Sequence, residues 1–183
     1  VRESLTPIFK VIVAGEGGVG KTSIIHRYLF EDSTTPVMTV GSEFAYQELE
    51  INNQKVGLSI WDFGGEERFR ELMPIFCLGA HGAIIVFDLT RFSTFLQLDY
   101  WMDVIRSSAN GVPAVLVGAK ADLEGGPSED EIRKFCETHG VRAYMPVSAR
   151  SGENVPQLFE FLAEKMLQAT DEGRLKPAYS LKA

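Results

Sequence analysis

Gly15-Glu16-Gly17-Gly18-Val19-Gly20-Lys21-Thr22 is the stretch on which the reading of this chain turns. It follows Ile8-Phe9-Lys10-Val11-Ile12-Val13-Ala14, an apolar, β-branched run that reads as a buried strand. It precedes Ile24, Ile25, Tyr28 and Leu29, which share one face of a helix over residues 21–29. The loop fits G-x-x-x-x-G-K-[ST], and strand–loop–helix is the context that supports that pattern. Backbone without side chains wraps a polyphosphate and aims successive N–H groups at it, while the helix N-terminus adds partial positive charge. Glu16, Gly17, Gly18, Val19, Gly20 and Ser23 are the expected loop contacts. Lys21 supplies a point charge to the outer phosphates, and Thr22 an oxygen ligand to Mg²⁺. A turn that merely happens to be glycine-rich is the plainer reading, and pattern plus context argue against it. The pattern alone leaves GTPase, ATPase and small-molecule kinase open.

Outward from this loop, strands alternate with helices. Residues 32–41 are polar, threonine-rich and interrupted by Pro36, and read as a loop. Strands over 43–51 and 55–61 flank Asn52-Asn53-Gln54, a short hairpin connection. A glycine- and charge-rich stretch, 62–70, precedes a buried strand over 82–89. Ser93 is the expected cap of a helix carrying Phe95, Leu98, Trp101, Met102 and Ile105 on one face. Residues 113–118 read as another buried strand, and Ser128 with Glu131 as a capping box for the next helix. A last strand, 142–147, leads to a helix capped by Asn154, with Val155, Leu158, Phe159, Leu162 and Met166 as its apolar face.

The expected fold is therefore α/β. It has a six-stranded, mostly parallel sheet with one antiparallel edge strand, and five helices covering both faces. No repeat or linker divides the chain. Residues 8–168 are expected to form one domain, between an N-terminal extension (1–7) and a flexible C-terminal tail (169–183).

Composition agrees with one domain: 183 residues, 45% hydrophobic and 23% charged, are enough to bury a core without disulfide or metal staples. Eighteen basic against 25 acidic residues, net −7, argue against a sequence-independent grip on nucleic acid. Cys77 and Cys136 are too few for a disulfide framework and suit a reducing compartment as buried thiols. The longest apolar run, Ala83-Ile84-Ile85-Val86-Phe87, falls far short of the ~18 residues of a membrane span. A cytoplasmic, monomeric protein is expected.

Two further elements complete a triphosphate sensor. Trp61-Asp62-Phe63-Gly64-Gly65-Glu66-Glu67 ends the third strand. Asp62 there can orient the water shell of a metal, and the Gly65 N–H can approach a γ-phosphate. Thr39 lies in the polar loop 18 residues after Lys21, placed to complete the Mg²⁺ shell when a γ-phosphate is present.

With Gly118-Ala119-Lys120-Ala121-Asp122 and Ser148-Ala149-Arg150 added, the order and spacing of these motifs resemble a Ras-superfamily small GTPase over about residues 8–168. The chain is most similar to the Rab branch. Gly41-x-Glu43-Phe44, Ile60-Trp61-Asp62, Glu67-Arg68-Phe69 and Gly79-Ala80 stand where Rab proteins carry like residues. Phe44, Trp61 and Phe76 match the aromatic triad that Rab partners read. The double Gly64-Gly65 is similar to Arf proteins and G-protein α subunits, a mixture that resembles the Rab-like GTPases of archaea. The resemblance implies that GTP and GDP are substrate and product, with Mg²⁺ as cofactor. It implies that Asp122 accepts hydrogen bonds from guanine, Lys120 lies along the purine, and the Ala149 N–H reaches guanine O6, beside Ser148 and Arg150. It also implies effector, exchange and GTPase-activating proteins as partners.

Three departures qualify this. Ala119 replaces an Asn, removing side-chain bonds to the base and the phosphate loop, each worth roughly 0.5–1.5 kcal/mol. The loop before Thr39 is one residue short, and Ser33 stands where an aromatic usually shields the base, so nucleotide exchange is expected to be fast. Glu66 occupies the place of the water-orienting Gln; with Lys21 and Gly65 it completes the expected catalytic set. A carboxylate accepts a proton from water but repels the γ-phosphate, and the two effects oppose. Residues 32–38 hold no Arg, so an arginine from an activating partner is the expected accelerator, worth ~10³–10⁵ in rate.

His26, His81 and His139 show no ligand spacing, and Phe44, Trp61 and Phe76 suit ordinary packing as well as a partner surface. The chain ends at Ala183 without a terminal cysteine, and Arg174, Lys176 and Lys182 make no polybasic anchor. Either the sequence is truncated or the protein reaches membranes through partners. A non-hydrolysing nucleotide-dependent scaffold and a phosphate-loop small-molecule kinase are the rival readings; no arginine-rich lid or acceptor site supports the second.

Overall fold

The computed structural model describes residues 5–30, 42–65, 67–109 and 111–179. Strand β1 (Pro7–Ala14) runs into the glycine-rich loop, and helix α1 (Lys21–Phe30) follows. Strands β2 (Ser42–Ile51) and β3 (Gln54–Phe63) form the hairpin. Its two-residue turn, Asn52-Asn53, has φ of 50° and 61°, the paired left-handed geometry that matches strand twist and that Asn tolerates. A 3-10 turn (Glu67–Leu72) and short helix α2 (Met73–Cys77) lead to β4 (Gly82–Asp88). Then come α3 (Phe92–Leu96), α4 (Leu98–Ser108), β5 (Ala114–Ala119), α5 (Glu129–His139), β6 (Tyr144–Val147) and α6 (Val155–Asp171).

The sheet order is β2-β3-β1-β4-β5-β6, parallel throughout except for β2 against β3. Both faces of its middle are covered, so β4 is buried at every position. Alternation along β1 divides the core. Phe9, Val11 and Val13 pack with Ile24, Leu158 and Phe159 of α1 and α6, while Ile12 and Ala14 pack with Met73, Trp101 and Ile105 of α2 and α4.

The capping box of α5 forms as expected: Ser128 Oγ accepts from the Glu131 N–H and the Glu131 carboxylate accepts from the Ser128 N–H at 2.7 Å. Two local expectations are corrected. The helix expected after Ser93 is broken at Gln97 into α3 and α4, and begins after Arg91. The Thr94 hydroxyl holds its first turn instead, donating to Arg91 O at 2.7 Å and accepting from the Asp88 N–H at 2.9 Å. Asn154 sits at φ 59° and makes no side-chain cap; its Nδ2 donates to Pro146 O at 2.8 Å, tying α6 to β6.

Ala178–Tyr179 forms a seventh strand, β7, antiparallel to β1 at Pro7 and Ile8. The reason is geometric: β4 joins β1 only from Val11 onward, which leaves the start of β1 with an open edge. His81 secures the return, accepting from the Lys10 N–H at 2.8 Å through Nδ1 and lying 3.1 Å from Lys176 O through Nε2.

Candidate nucleotide site

The candidate residues gather at the carboxyl ends of the parallel strands, where the strand order reverses on either side of β1. That crevice is the general ligand position of open α/β sheets. Lys21 opens α1 and is 5% exposed. Its ammonium donates to Gly15 O at 2.9 Å and Glu16 O at 2.8 Å, so the loop closes around it. Burial lowers its pKa to about 8 against the opposing pull of Asp62 and Glu16.

Gly65, just after β3, lies hard against the loop. A Cβ there would stand 2.3 Å from Glu16 C and from Gly17 N, so only glycine permits the approach. Gly15 is equally constrained, with φ 146° and a Cβ position 2.2 Å from Val86 O. The result is a cradle of bare backbone. Beside it the Thr22 hydroxyl donates to Asp62 Oδ2, with Asp62 only 3% exposed. A hydroxyl and a carboxylate side by side are hard oxygen donors of the kind Mg²⁺ takes, and the residues present fit that ion.

Glu16 has a role the sequence reading missed. Its Oε1 accepts from Arg70 Nη2 at 2.6 Å and Trp101 Nε1 at 3.0 Å, joining the loop to the 3-10 turn and to α4. Arg70 also lies over the Tyr100 ring, 4.8 Å from its centroid. Nothing in local pattern signals such a contact, because Trp101 reads equally well as core.

Asp122, Lys120 and Ser148 come together from the ends of β5 and β6. Ser148 Oγ donates to Asp122 Oδ1 at 2.7 Å and accepts from the Ser151 N–H at 3.1 Å, orienting the carboxylate and the turn that carries Ala149 and Arg150. Lys120 sits at φ 64°, a left-handed conformation uncommon for a side-chain-bearing residue. Its ammonium donates to Asp88 Oδ2 at 2.6 Å. Asp88, fully buried at the end of β4, also accepts from Thr90 Oγ1 at 2.6 Å and Arg91 Nε at 3.1 Å. Burial would raise its pKa, but Lys120, Thr90 and Arg91 together hold the carboxyl below its ordinary value. Asp88 and Arg91 were not singled out from sequence. The only available signal was a carboxylate closing an otherwise apolar strand.

Phe44, Trp61 and Phe76 do meet: Phe44 stands edge-on to Trp61 at 4.5 Å, and Trp61 and Phe76 lie 6.4 Å apart. Phe44 is 62% exposed. Ser33, Thr39 and Glu66 lie outside the described residues.

A bare-backbone cradle closed by a buried lysine, beside a Thr–Asp pair on a mostly parallel sheet, defines a phosphate-loop nucleotide-binding domain. Residues 10–168 match the Ras family. The chain is 34% identical over 173 residues to Ras-related protein Rab-13 of Bos taurus, covering 92% of this chain and 85% of the relative. It is 34% identical to Rab-13 of Canis lupus familiaris over 165 residues, covering 87% and 80%. The chain belongs to the Ras family and is a Rab-like, GTP-binding small GTPase. Among the described residues no helix is long and apolar enough to cross a membrane.

Proposed function

We propose that the chain alternates between GTP·Mg²⁺ and GDP states that partner proteins distinguish, and that it hydrolyses GTP slowly on its own. The observation that supports this is the close approach of Gly65 to Glu16 and Gly17, which brings the end of β3 against the glycine-rich loop. In this reading Lys21, Ser23 and the N–H groups of residues 16–20 hold the phosphates, and Thr22 and Thr39 ligate the cation while Asp62 orients its water. When bound, the cation would supply positive charge to the phosphates. Glu66 positions the attacking water, and unassisted turnover is slow because residues 32–38 supply no arginine to the phosphates.

Asp122, held by Ser148, selects guanine, and Ala119, Lys120, Ala149 and Arg150 complete the base side. Phe44, Trp61 and Phe76 form the surface that effector, exchange and activating proteins read. The chain works as a cytoplasmic monomer.

The test is single-turnover phosphate release from protein preloaded with GTP and Mg²⁺. Slow release, abolished by Lys21→Ala, is expected. No release over many hours from a preparation that retains GTP selects the non-hydrolysing scaffold instead.

A further inference from the structure

Arg91 is the least expected side chain near the phosphate loop. It precedes α3, and its Nη2 donates to Gly17 O at 2.9 Å across 74 residues of sequence. Its Nε donates to Asp88 Oδ2 at 3.1 Å, the same oxygen that accepts from Lys120 Nζ at 2.6 Å. A continuous chain of bonds thus runs from the base-side loop through Lys120, Asp88 and Arg91 to the phosphate loop. The more direct route between these loops is apolar. Ala119 offers only a methyl, 3.8 Å from where a Cβ on Gly20 would stand.

We propose that Arg91 is a positioning residue that, through Asp88, ties the lysine-bearing loop after β5 to the phosphate loop and so slows nucleotide release. The geometry suits the task. Asp88 is fully buried, so two cations converge on a carboxylate that water does not reach, where charge-assisted bonds are strong. Arg91 is 46% exposed and spends one donor on a loop carbonyl, so its removal leaves no buried orphan charge on its own side. The guanidinium fork reaches Asp88 and Gly17 O at once through different nitrogens, whereas an ammonium would have to bring its one nitrogen within reach of both.

The inference rests on the nucleotide-switch reading, and its test separates the two. Dissociation of fluorescent GDP and ADP is measured from the wild-type chain, Arg91→Gln, Arg91→Lys, Asp88→Asn and the double variant Asp88→Asn/Arg91→Gln. Arg91→Gln is expected to release nucleotide roughly fivefold faster, the equivalent of one ordinary hydrogen bond. Arg91→Lys is expected to recover only part of that loss. The double variant should release no faster than Asp88→Asn alone, because Arg91 acts through Asp88. A purely structural role would instead lower the melting temperature and leave the release rate and its coupling to Asp88 unchanged. Equal release from wild type and Arg91→Gln, or additive effects in the double variant, overturns the tether. Retention of ADP in preference to GDP overturns the guanine reading, while the tether is still read from ADP release, because it acts on the phosphate loop.

Discussion

At the scale of single residues, the site is built from groups that tolerate no exchange. Gly65 is the sharpest case, since any side chain would have to displace the backbone of Glu16 and Gly17. Gly65→Ala is expected to cost about 1–3 kcal/mol through forced separation of β3 from the loop. It should also erase any difference between GTP and GDP in protease sensitivity of the segment that follows Gly65. Chemical denaturation and limited proteolysis of both nucleotide forms check this, and unchanged stability would refute the packing argument. Asp88 is a second case: a buried carboxylate kept ionised because Lys120 and Arg91 meet on one of its oxygens. The glycine-loop positions were legible from motif spacing, and Asp122 from the resemblance to Ras-superfamily GTPases. Asp88, Arg91 and the Glu16–Arg70–Trp101 contact were not, because each is a meeting of distant side chains with ordinary local surroundings.

At the scale of elements, local signals worked where the stabilising partner is itself local. The α5 capping box, the Asn-Asn turn and the apolar runs of β1 and β4 each depend on residues a few positions apart. They failed where the end of the preceding strand competes for the capping side chain. Thr94 is drawn to the backbone of Asp88, which moves the helix start from Ser93, and Asn154 is drawn to Pro146. The return of β7 to β1 also belongs at this scale. Since the Lys10 N–H occupies Nδ1, the His81 proton lies on Nε2 and points at Lys176 O, so the ring must be neutral for both bonds. Burial lowers its pKa below the ordinary value, with the Lys176 carbonyl opposing and the Lys10 ammonium adding to the effect.

A depressed histidine pKa means that this contribution is complete above pH ~6.5 and is lost as pH falls through the lower folded value. Amide exchange at Ala178 and Tyr179, corrected for intrinsic rates, is therefore expected to speed up as pH falls through that lowered value. His81→Phe should show fast exchange at every pH. Constant protection in the wild type down to pH 5 would remove His81 from this role.

At the scale of the whole molecule, the sheet puts five strand ends around one crevice, and a ligand there ties together segments far apart in sequence. The Glu16–Arg70–Trp101 contact joins the phosphate loop to the 3-10 turn and α4, and the Arg91 contact joins it to β4 and β5. Nucleotide is accordingly expected to stabilise the entire fold. At a hundredfold excess over the dissociation constant, GDP should add about 2.7 kcal/mol. For a domain of this size that corresponds to roughly 5–10 °C in melting temperature. ADP at the same concentration should give almost none of this, and Asp122→Ala should remove the preference. Equal shifts with GDP and ADP in the wild type would contradict base selection by Asp122.

What the sequence determined by itself is the phosphate loop, the alternation of strands and helices, and the Asp62 motif, with Asp122 supplied by the resemblance to Ras-superfamily GTPases. These are carried by residue types at short fixed spacings, where glycine geometry, apolar period and capping act within a few residues. Only the tertiary structure decided that Arg91 reaches Gly17, that Glu16 holds Arg70 and Trp101, and that the tail returns to pair with β1. The physical reason is that each of these depends on how β1 is offset against the strands and helices packed beside it. That offset arises when the sheet packs, and no local propensity encodes it.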